Sequence, residues 1–157
     1  MTSLIVFIGK YFIFIIGLVA LGVTIISEST VRNKLVILTI LSLLIAFGMA
    51  SLAGFLYYDP RPFVVEHTTP LINHIADNGF PSDHTLYAMS ASATIFVYKR
   101  KTGIFLAILS ILGGAARVIA GVHHPIDIIG GTLIATSATF IAWIILKILS
   151  MTKIISF

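Results

Sequence analysis

Five apolar segments, separated by short polar stretches, limit what this chain can fold into. They cover residues of about 4–26, 35–57, 84–98, 104–121 and 126–147. A helix that spans a bilayer needs roughly 20 apolar residues. The third segment has about 15, and as a helix it would reach only about 22 Å. The pattern predicts an all-α bundle of about five transmembrane helices, in which the third begins below the outer membrane surface.

The low proportion of charged residues supports a membrane protein. Of the 157 residues, 58% are hydrophobic and 10% are charged, whereas soluble domains contain about 25% charged residues. We expect one integral membrane domain over residues 1–157. The chain contains no cysteine, which excludes disulfides and thiol chemistry. The first apolar segment is typical of a retained span rather than of a cleaved signal peptide.

Basic residues concentrate on one predicted side of the membrane, which predicts the topology. Apart from Lys10 within the first span, only Arg61 and Arg117 fall on the side that carries the long loop 58–83. The positive-inside rule then makes the other side cytoplasmic, with the N-terminus outside and the C-terminus inside a cell membrane. The basic residues assigned to the cytoplasmic side are Arg32, Lys34, Lys99, Arg100, Lys101, Lys147 and Lys153.

Small residues predict where the spans pack. They are dense in the third, fourth and fifth segments, for example at Ala88, Gly113 and Gly130, and small residues permit close approach of helices in lipid. We expect the last three spans to form a compact core. The first span could pack against this core or serve as a separate anchor, and the sequence does not predict an oligomeric state.

Three polar clusters fall on the predicted outer face. They are Tyr57–Pro62 after the second span, Phe80–Thr85 before the third, and Arg117–Asp127 between the fourth and fifth. They are far apart in the sequence, but the predicted topology returns all three to one side of the membrane. We therefore expect them to form one site.

The third cluster contains a histidine and an aspartate four residues apart. Pro125 lies between His123 and Asp127, and proline is well tolerated in the first turn of a helix. Such a helix start brings the carboxylate to one side of the His123 ring. The carboxylate then fixes the tautomer and makes the other ring nitrogen a better base or nucleophile.

The other clusters supply groups that suit a phosphate. Arg61 and Arg117 carry planar guanidinium groups that match phosphate oxygens, and Ser82 is placed to cap the third span. His84 is a second imidazole able to exchange protons near neutral pH. No set of carboxylates is predicted to converge on Mg²⁺, and no Cys/His spacing is typical of zinc. The set predicts phosphoryl transfer without a metal or other cofactor.

These motifs resemble those of the type 2 phosphatidic acid phosphatase (PAP2) family. Pro81-Ser82-Asp83-His84 is similar to the family's Pro-Ser-x-His motif, and Arg61-Pro62 to the end of its first motif. Arg117, His123 and Asp127 have the spacing of its third motif. The sequence from Phe80 to Thr85 most resembles that of bacterial undecaprenyl-diphosphate phosphatases of the bacitracin-resistance type.

The resemblance implies a role for each matching residue. His123 would attack phosphorus and form a phosphohistidine, Asp127 would hold His123, and His84 would protonate the leaving oxygen. The implied phosphate-binding residues are Arg61, Arg117 and Ser82. Pro81 and Asp83 belong to the same motif and are secondary candidates. The implied substrate is a lipid phosphate or diphosphate in the outer leaflet, with undecaprenyl diphosphate favoured.

The chain departs from the family pattern at two positions. Gly54 stands where the first motif normally opens with a lysine, and Ala116 replaces a serine before Arg117. Lys10 is a speculative replacement for the missing cation, although a lysine that extends to the lipid head groups is the commoner explanation. Four loop residues are interpreted as solvated, with a head-group contact as the alternative, and His124 as a bystander or a surface contact. The four are Glu66, His67, His74 and Asp77.

Other functions stay open from the sequence. Phosphatidylglycerol phosphate, phosphatidic acid and lipid A phosphates are alternative substrates. A non-catalytic phospholipid-binding protein is an alternative class, favoured by Gly54. A transporter or channel is disfavoured because the charges gather at one face instead of lining a path through the bilayer. Nothing in the charge pattern indicates nucleic-acid binding.

Overall fold

The computed structural model describes residues 2–152 and is all-α over that range, as predicted. One isolated bridge pairs Pro60 with Asn78. Met1 and residues 153–157 lie outside the described part, and with them the predicted cytoplasmic residue Lys153. The helices are α1 (Thr2–Ile26), α2 (Ser29–Leu56), α3 (Pro62–Val65), α4 (Asp83–Tyr98), α5 (Arg100–Ile119) and α6 (Pro125–Met151).

Four of the helices are long and apolar enough to cross a membrane: α1, α2, α5 and α6. The third predicted span, α4, is the remaining one; it has 16 residues and is short, as its sequence indicated. The helix α2 begins at Ser29, several residues before the apolar segment predicted from about residue 35. Its first turns carry Arg32 and Lys34, which are good helix formers, so the helix extends beyond the apolar stretch.

The short helix α4 is the centre of the bundle. It packs against all four long helices, and half of its length is buried, including Ala88, Ser90, Ser92 and Thr94. Its small side chains let the neighbouring backbones approach closely. The link to α5 is tight as well, because a Cβ on Gly103 would lie only 2.3 Å from the Cα of Phe96.

The last three spans pack together as predicted, mainly through contacts of α4 with α5 and α6, and α1 and α2 pack against them as well. Ile16 and Ala20 of α1 are buried in one cluster with Ile95 of α4 and Leu106 of α5. In a second cluster, α2 packs its Ala46 and Ala50 against α4 and α6. A count of small residues did not predict the first cluster, because α1 and α2 contribute the large side chains of Ile16 and Leu35 to it.

The outer surface of the bundle is apolar. Large side chains such as Phe14, Leu18, Phe47, Phe55 and Leu133 point away from the core and are exposed. Soluble monomers rarely expose apolar surface on this scale. This surface is what a bundle needs in order to sit in lipid.

The long loop folds back onto one end of the bundle. Ile72 is buried with Ala120 and Val122, and Ile5 and Val6 of α1 pack against them. The backbone N–H of Leu71 donates to the carbonyl of Ala120 at 2.9 Å. The loop, the start of α1 and the α5–α6 connection therefore meet at one end.

Candidate functional site

The three polar clusters predicted from the sequence come together at this end of the bundle. The cluster after α2 supplies Arg61, the start of α4 supplies Ser82, and the end of α5 supplies Arg117. All three side chains lie within hydrogen-bonding distance of the same atom, Nε2 of His123. The loop between α5 and α6 places His123 at the point where they meet.

His123 and Asp127 form the contact that their spacing predicted. The helix α6 begins with Pro125 in its first turn, and Nδ1 of His123 lies 3.0 Å from Oδ2 of Asp127. The backbone N–H of His124 donates to the same oxygen at 2.9 Å. His123 is 2% exposed and Asp127 is fully buried, so the pair is shielded from bulk solvent.

The surroundings of His123 fix its tautomer. Nε2 lies 3.3 Å from Nη1 of Arg61, 3.3 Å from Oγ of Ser82 and 3.5 Å from Nη2 of Arg117. A guanidinium group can only donate, so Nε2 is the acceptor and the ring proton sits on Nδ1, where it is donated to Asp127. The lone pair of Nε2 therefore faces two permanent positive charges.

Burial favours the neutral form of His123. Loss of solvent contact lowers the pKa of the His123 imidazole below its usual value, and the charges of Arg117 and Arg61 lower it further. The hydrogen bond to Asp127 acts in the opposite direction and raises the pKa. A neutral imidazole with a carboxylate behind it is the form that can act as a nucleophile.

Arg61 is held by the long loop and by the α5–α6 connection. Its Nε donates to Asp77 Oδ1 at 2.5 Å, and its Nη1 donates to the carbonyl of Val122 at 2.8 Å. Nη2 reaches the carbonyl of Asn78 at 3.5 Å. Asp77 is partly solvated, as interpreted, with its side chain 44% exposed, but its carboxylate also fixes the orientation of a buried arginine.

Arg117 is buried and is held by α1. Its Nη1 donates to the backbone carbonyl of Gly9 at 3.3 Å. Its Nε is buried without a hydrogen-bond partner among residues 2–152, so this arginine has a donor to spare for an anion. The side chain of Lys10 is exposed, and among the described residues no hydrogen bond or ion pair joins it to this cluster. At this point α1 contributes the backbone of Gly9 to the site.

Ser82 occupies the N-cap position of α4, but its hydroxyl does not cap the helix. No side-chain cap hydrogen bond is present, and Oγ lies near Nε2 of His123 instead. The backbone N–H of Ser82 donates to the carbonyl of Asp127 at 3.1 Å, which ties the start of α4 to the start of α6. The predicted position is correct, and the predicted capping bond is absent because the hydroxyl points into the site.

His84 lies in the first turn of α4 and is partly buried. The guanidinium groups of Arg117 and Arg61 lie close enough to interact electrostatically with its ring, as do the imidazoles of His123 and His74. Its ring makes no hydrogen bond to another described residue, which leaves both nitrogens available for proton transfer. The neighbouring Asp83 is exposed in the first helical turn and Pro81 is partly buried before it; neither contacts Nε2 of His123.

A second histidine–aspartate pair lies beside the first. Nδ1 of His124 is 2.8 Å from Oδ2 of Asp59, so His124 is not a bystander. Burial raises the pKa of Asp59, and its neighbour Asp127 contributes to that rise. One oxygen of Asp127, Oδ1, is buried without a partner among the described residues.

Three of these groups could hold a metal ion. Asp59, His124 and Asp127 each offer a ligand atom within 4.8 Å of the others, so the expectation that no carboxylates converge was wrong. The contacts already made by these atoms do not favour a cation, because Oδ2 of Asp59 is bonded to His124 and Oδ2 of Asp127 is bonded to His123 and to the backbone. A metal bound through these Oδ2 atoms would have to displace those hydrogen bonds, whereas Oδ1 of Asp127 has no hydrogen-bond partner among the described residues.

Comparison with known proteins identifies the family. A family model described as the PAP2 superfamily matches residues 33–150. The chain belongs to the PAP2 superfamily. The match covers α2 to α6 and therefore every helix that supplies a side chain to the site.

Curated PAP2 relatives resemble the chain over most of its length. The bacitracin transport permease protein BcrC of Bacillus licheniformis is 30% identical over 91% of this chain and 71% of its own length. The undecaprenyl-diphosphatase BcrC of Bacillus subtilis is 33% identical over 90% of this chain and 72% of its own length. The putative undecaprenyl-diphosphatase YbjG of Escherichia coli is 34% identical over 85% of this chain and 67% of its own length.

A solved structure has the same fold. The crystal structure of Aquifex aeolicus LpxE aligns with a TM-score of 0.66 and covers 90% of this chain and 86% of its own. The sequence identity is 24%, so this likeness supports the helical architecture alone.

The two departures from the PAP2 pattern have a structural context. The carbonyl of Gly54 accepts a hydrogen bond from Nδ2 of Asn78 at 2.9 Å, and a Cβ at Gly54 would lie 3.1 Å from the carbonyl oxygen of Phe80. The loop therefore packs directly against the backbone of Gly54, the position at which the family's first motif has a lysine. Ala116 is buried beside Arg117 and offers that arginine no hydrogen bond.

Proposed function

We propose that this protein is a membrane phosphatase that converts undecaprenyl diphosphate to undecaprenyl phosphate through a phosphohistidine. The observation that carries the proposal is the environment of one atom. The other nitrogen of the His123 ring is hydrogen-bonded to the Asp127 carboxylate, and Nε2 itself faces donors from three side chains. The three are Arg61, Ser82 and Arg117. Relatives that match 85% and 90% of this chain bear the name undecaprenyl-diphosphatase, one of them as putative, which supports this substrate.

The first half of the reaction transfers a phosphoryl group to the protein. The Nε2 lone pair of His123 attacks the terminal phosphorus, and the bond from phosphorus to the bridging oxygen breaks. His84 gives its proton to that oxygen, and undecaprenyl phosphate leaves. The three donors neutralise the charge on the equatorial oxygens, while Asp127 stabilises the positive charge that develops on the ring.

The second half regenerates the enzyme. Water attacks the phosphorus of the phosphohistidine, His84 takes one proton from the water, and the P–N bond breaks. Inorganic phosphate leaves, and His123 returns to its neutral form with Nδ1–H donated to Asp127. No step requires a metal, since the arginines supply the positive charge.

The test is phosphate release from undecaprenyl diphosphate by the purified protein in detergent with EDTA present. We expect turnover in EDTA and its loss, by at least a thousandfold, in His123→Ala, because an attacking group cannot be replaced by its neighbours. The control is His67→Asn, which changes an exposed loop histidine with a positive φ that asparagine tolerates.

Two results would overturn the proposal. One is the absence of turnover in the unmodified protein with undecaprenyl diphosphate and with a panel of phosphatidylglycerol phosphate, phosphatidic acid and lipid A phosphates. The other is undiminished turnover in His123→Ala. Activity that EDTA abolishes would instead assign a metal to Asp59, His124 and Asp127.

The orientation in the membrane is part of the proposal. The site end carries few basic residues, whereas Arg32, Lys34 and the Lys99–Lys101 link lie at the other ends of their helices. By the positive-inside rule, that second end is cytoplasmic. The active site then faces the outside, the N-terminus is outside, the C-terminus is cytoplasmic, and the apolar exterior holds the site at head-group level.

A further inference from the structure

A third histidine lies at the active site without a role in the reaction above. His74, in the long loop, places its ring centroid 6.2 Å from that of His123, with an interplanar angle of 70°. From the sequence, His74 was interpreted as a solvated loop residue, with a head-group contact as the alternative. The ring is partly buried, and it lines an open recess of about 320 Å³ together with Asn73 and Ile75.

The phosphoryl group that His123 attacks has donors from three other side chains. Arg61, Arg117 and Ser82 each place a donor around Nε2. The two axial positions of the phosphorus belong to His123 and to the leaving oxygen, which His84 protonates. His74 lies outside this set, beside the ring of His123, so it is placed to meet a group next to the transferred phosphoryl group.

The ring nitrogens of His74 differ in what they can do. Nδ1 lies 3.3 Å from the carbonyl oxygen of Ile75, so Nδ1–H donates to that oxygen and Nε2 is left to meet a ligand. Burial lowers the pKa of His74, and the positive charge of Arg61 lowers it further, as does that of Arg117. An anion placed among these groups reverses the second effect, so that the imidazole can take a proton and donate it from Nε2.

We propose that His74 binds the second phosphate of a diphosphate head group and thereby selects diphosphates over monophosphates. The proposal rests on the proposed function and adds a specificity residue to it. The loop that carries His74 also carries Asp77, which holds Arg61. One segment thus both orients the cradle for the transferred phosphate and supplies the contact for its neighbour.

The test compares the binding of two small anions to the purified protein by calorimetry. Methylenediphosphonate resembles the head group but cannot be hydrolysed, and orthophosphate represents the transferred group alone. In His74→Asn we expect the affinity for methylenediphosphonate to fall about tenfold, the size of one charge-assisted hydrogen bond. The affinity for orthophosphate should change by less than about twofold.

The matched control is His67→Asn, the same substitution at an exposed histidine of the same loop; it should leave both affinities unchanged. Equal weakening of both anions in His74→Asn would overturn the proposal, because it would indicate a general structural role. No change for either anion would overturn it as well. The measurement needs no turnover, so failure of the proposed reaction with undecaprenyl diphosphate would be seen separately.

Discussion

At the scale of single residues, the two ring nitrogens of His123 have separate tasks. Nδ1 gives its proton to Asp127, and Nε2 faces the arginines. The pKa of this histidine is set by two opposed influences. Burial and positive charge lower it, whereas the hydrogen bond to Asp127 raises it. The pH dependence of the reaction should report this balance.

We expect kcat/KM to fall on the acid side with a midpoint below about 6.5, the usual value for histidine. His123 must be neutral to attack, its pKa is lowered in the folded protein, and protonation as the pH falls through that lowered pKa removes the nucleophile. A pH series of undecaprenyl diphosphate hydrolysis measures this acid limb.

The Asp127→Asn variant tests the direction in which the hydrogen bond to Asp127 shifts the pKa of His123. The substitution removes the hydrogen bond that raises the pKa of His123, so the acid limb of the residual activity should move to lower pH while kcat falls. Titration of the substrate's own phosphates is the same in both proteins. The shift of the acid limb between the two proteins therefore reports the pKa of His123. An acid limb that moves to higher pH would contradict the assignment.

Asp77 should matter for catalysis although it does not contact the reacting atoms. In Asp77→Ala, Nε of Arg61 loses its ionised acceptor and the guanidinium keeps only carbonyl partners. We expect kcat/KM to fall roughly tenfold to a hundredfold, as misplacement of a phosphate-binding group commonly causes, with Asp77→Asn intermediate. Glu66→Ala, an exposed acid in the same loop, is the control and should keep its activity. Equal activity in Asp77→Ala and Glu66→Ala would show that Arg61 does not need the contact with Asp77.

The sequence predicted the residues whose relationship is local. Asp127 lies one helical turn from His123 and Pro125 marks the start of that turn, so the contact could be derived from spacing. Asp77 and His74 could not be placed in this way. They lie in a loop with several prolines, where neither helical nor strand periodicity links a residue to its neighbours in space.

At the scale of elements, the junction between the loop and α6 depends on glycine. A Cβ on Gly130 would lie 2.3 Å from the ring of Phe80, and one on Gly131 would lie 2.9 Å from the carbonyl oxygen of Ser82. These contacts press the start of α4 against α6. They therefore help to set the distance between Ser82 and His123.

Gly130→Ala should reduce both stability and activity. The added methyl group must displace the Phe80 ring, and overpacking of this kind costs about 1–3 kcal/mol. Because Phe80 lies two residues before Ser82, we expect kcat to fall as well. Gly48→Ala is the matched control: a Cβ there meets nothing within 4 Å, so its thermal midpoint in detergent should be unchanged or slightly raised. If the two variants melt and react alike, the close contact is not important.

The helices themselves were largely predictable, whereas their packing was only partly so. Long apolar segments defined α1, α2, α5 and α6, and the short third segment became α4. Small residues correctly indicated that α4 packs closely with its neighbours. They did not indicate α1 and α2, because Ile16 and Leu35 contribute large buried side chains to the same cluster, and a large apolar residue looks the same in sequence whether it faces protein or lipid.

At the scale of the whole molecule, the two ends of the bundle differ in charge and in function. The end with the site carries the long loop, and the opposite end carries the Lys99–Lys101 link. The proposed orientation follows from this difference and from the positive-inside rule. A direct test is convenient, because the chain contains no cysteine and any labelling comes from an introduced one.

We expect a membrane-impermeant maleimide to label Glu66→Cys in intact cells and to label Lys101→Cys only after the membrane is opened. Both positions are exposed, so accessibility reflects the side of the membrane. The unmodified protein gives the background. Labelling of position 101 in intact cells, with position 66 protected, would reverse the orientation and place the reaction in the cytosol.

The contact between Gly9 and Arg117 bears on how a smaller version of this phosphatase could be made. The family match begins at residue 33, which invites removal of everything before it. Such a shortened protein would keep every side chain of the reaction, yet it would lose the carbonyl that steadies one of its two arginines and the Ile5 and Val6 side chains packed under the loop. A gene fragment chosen by motif boundaries alone would thus encode an enzyme with lower activity and stability.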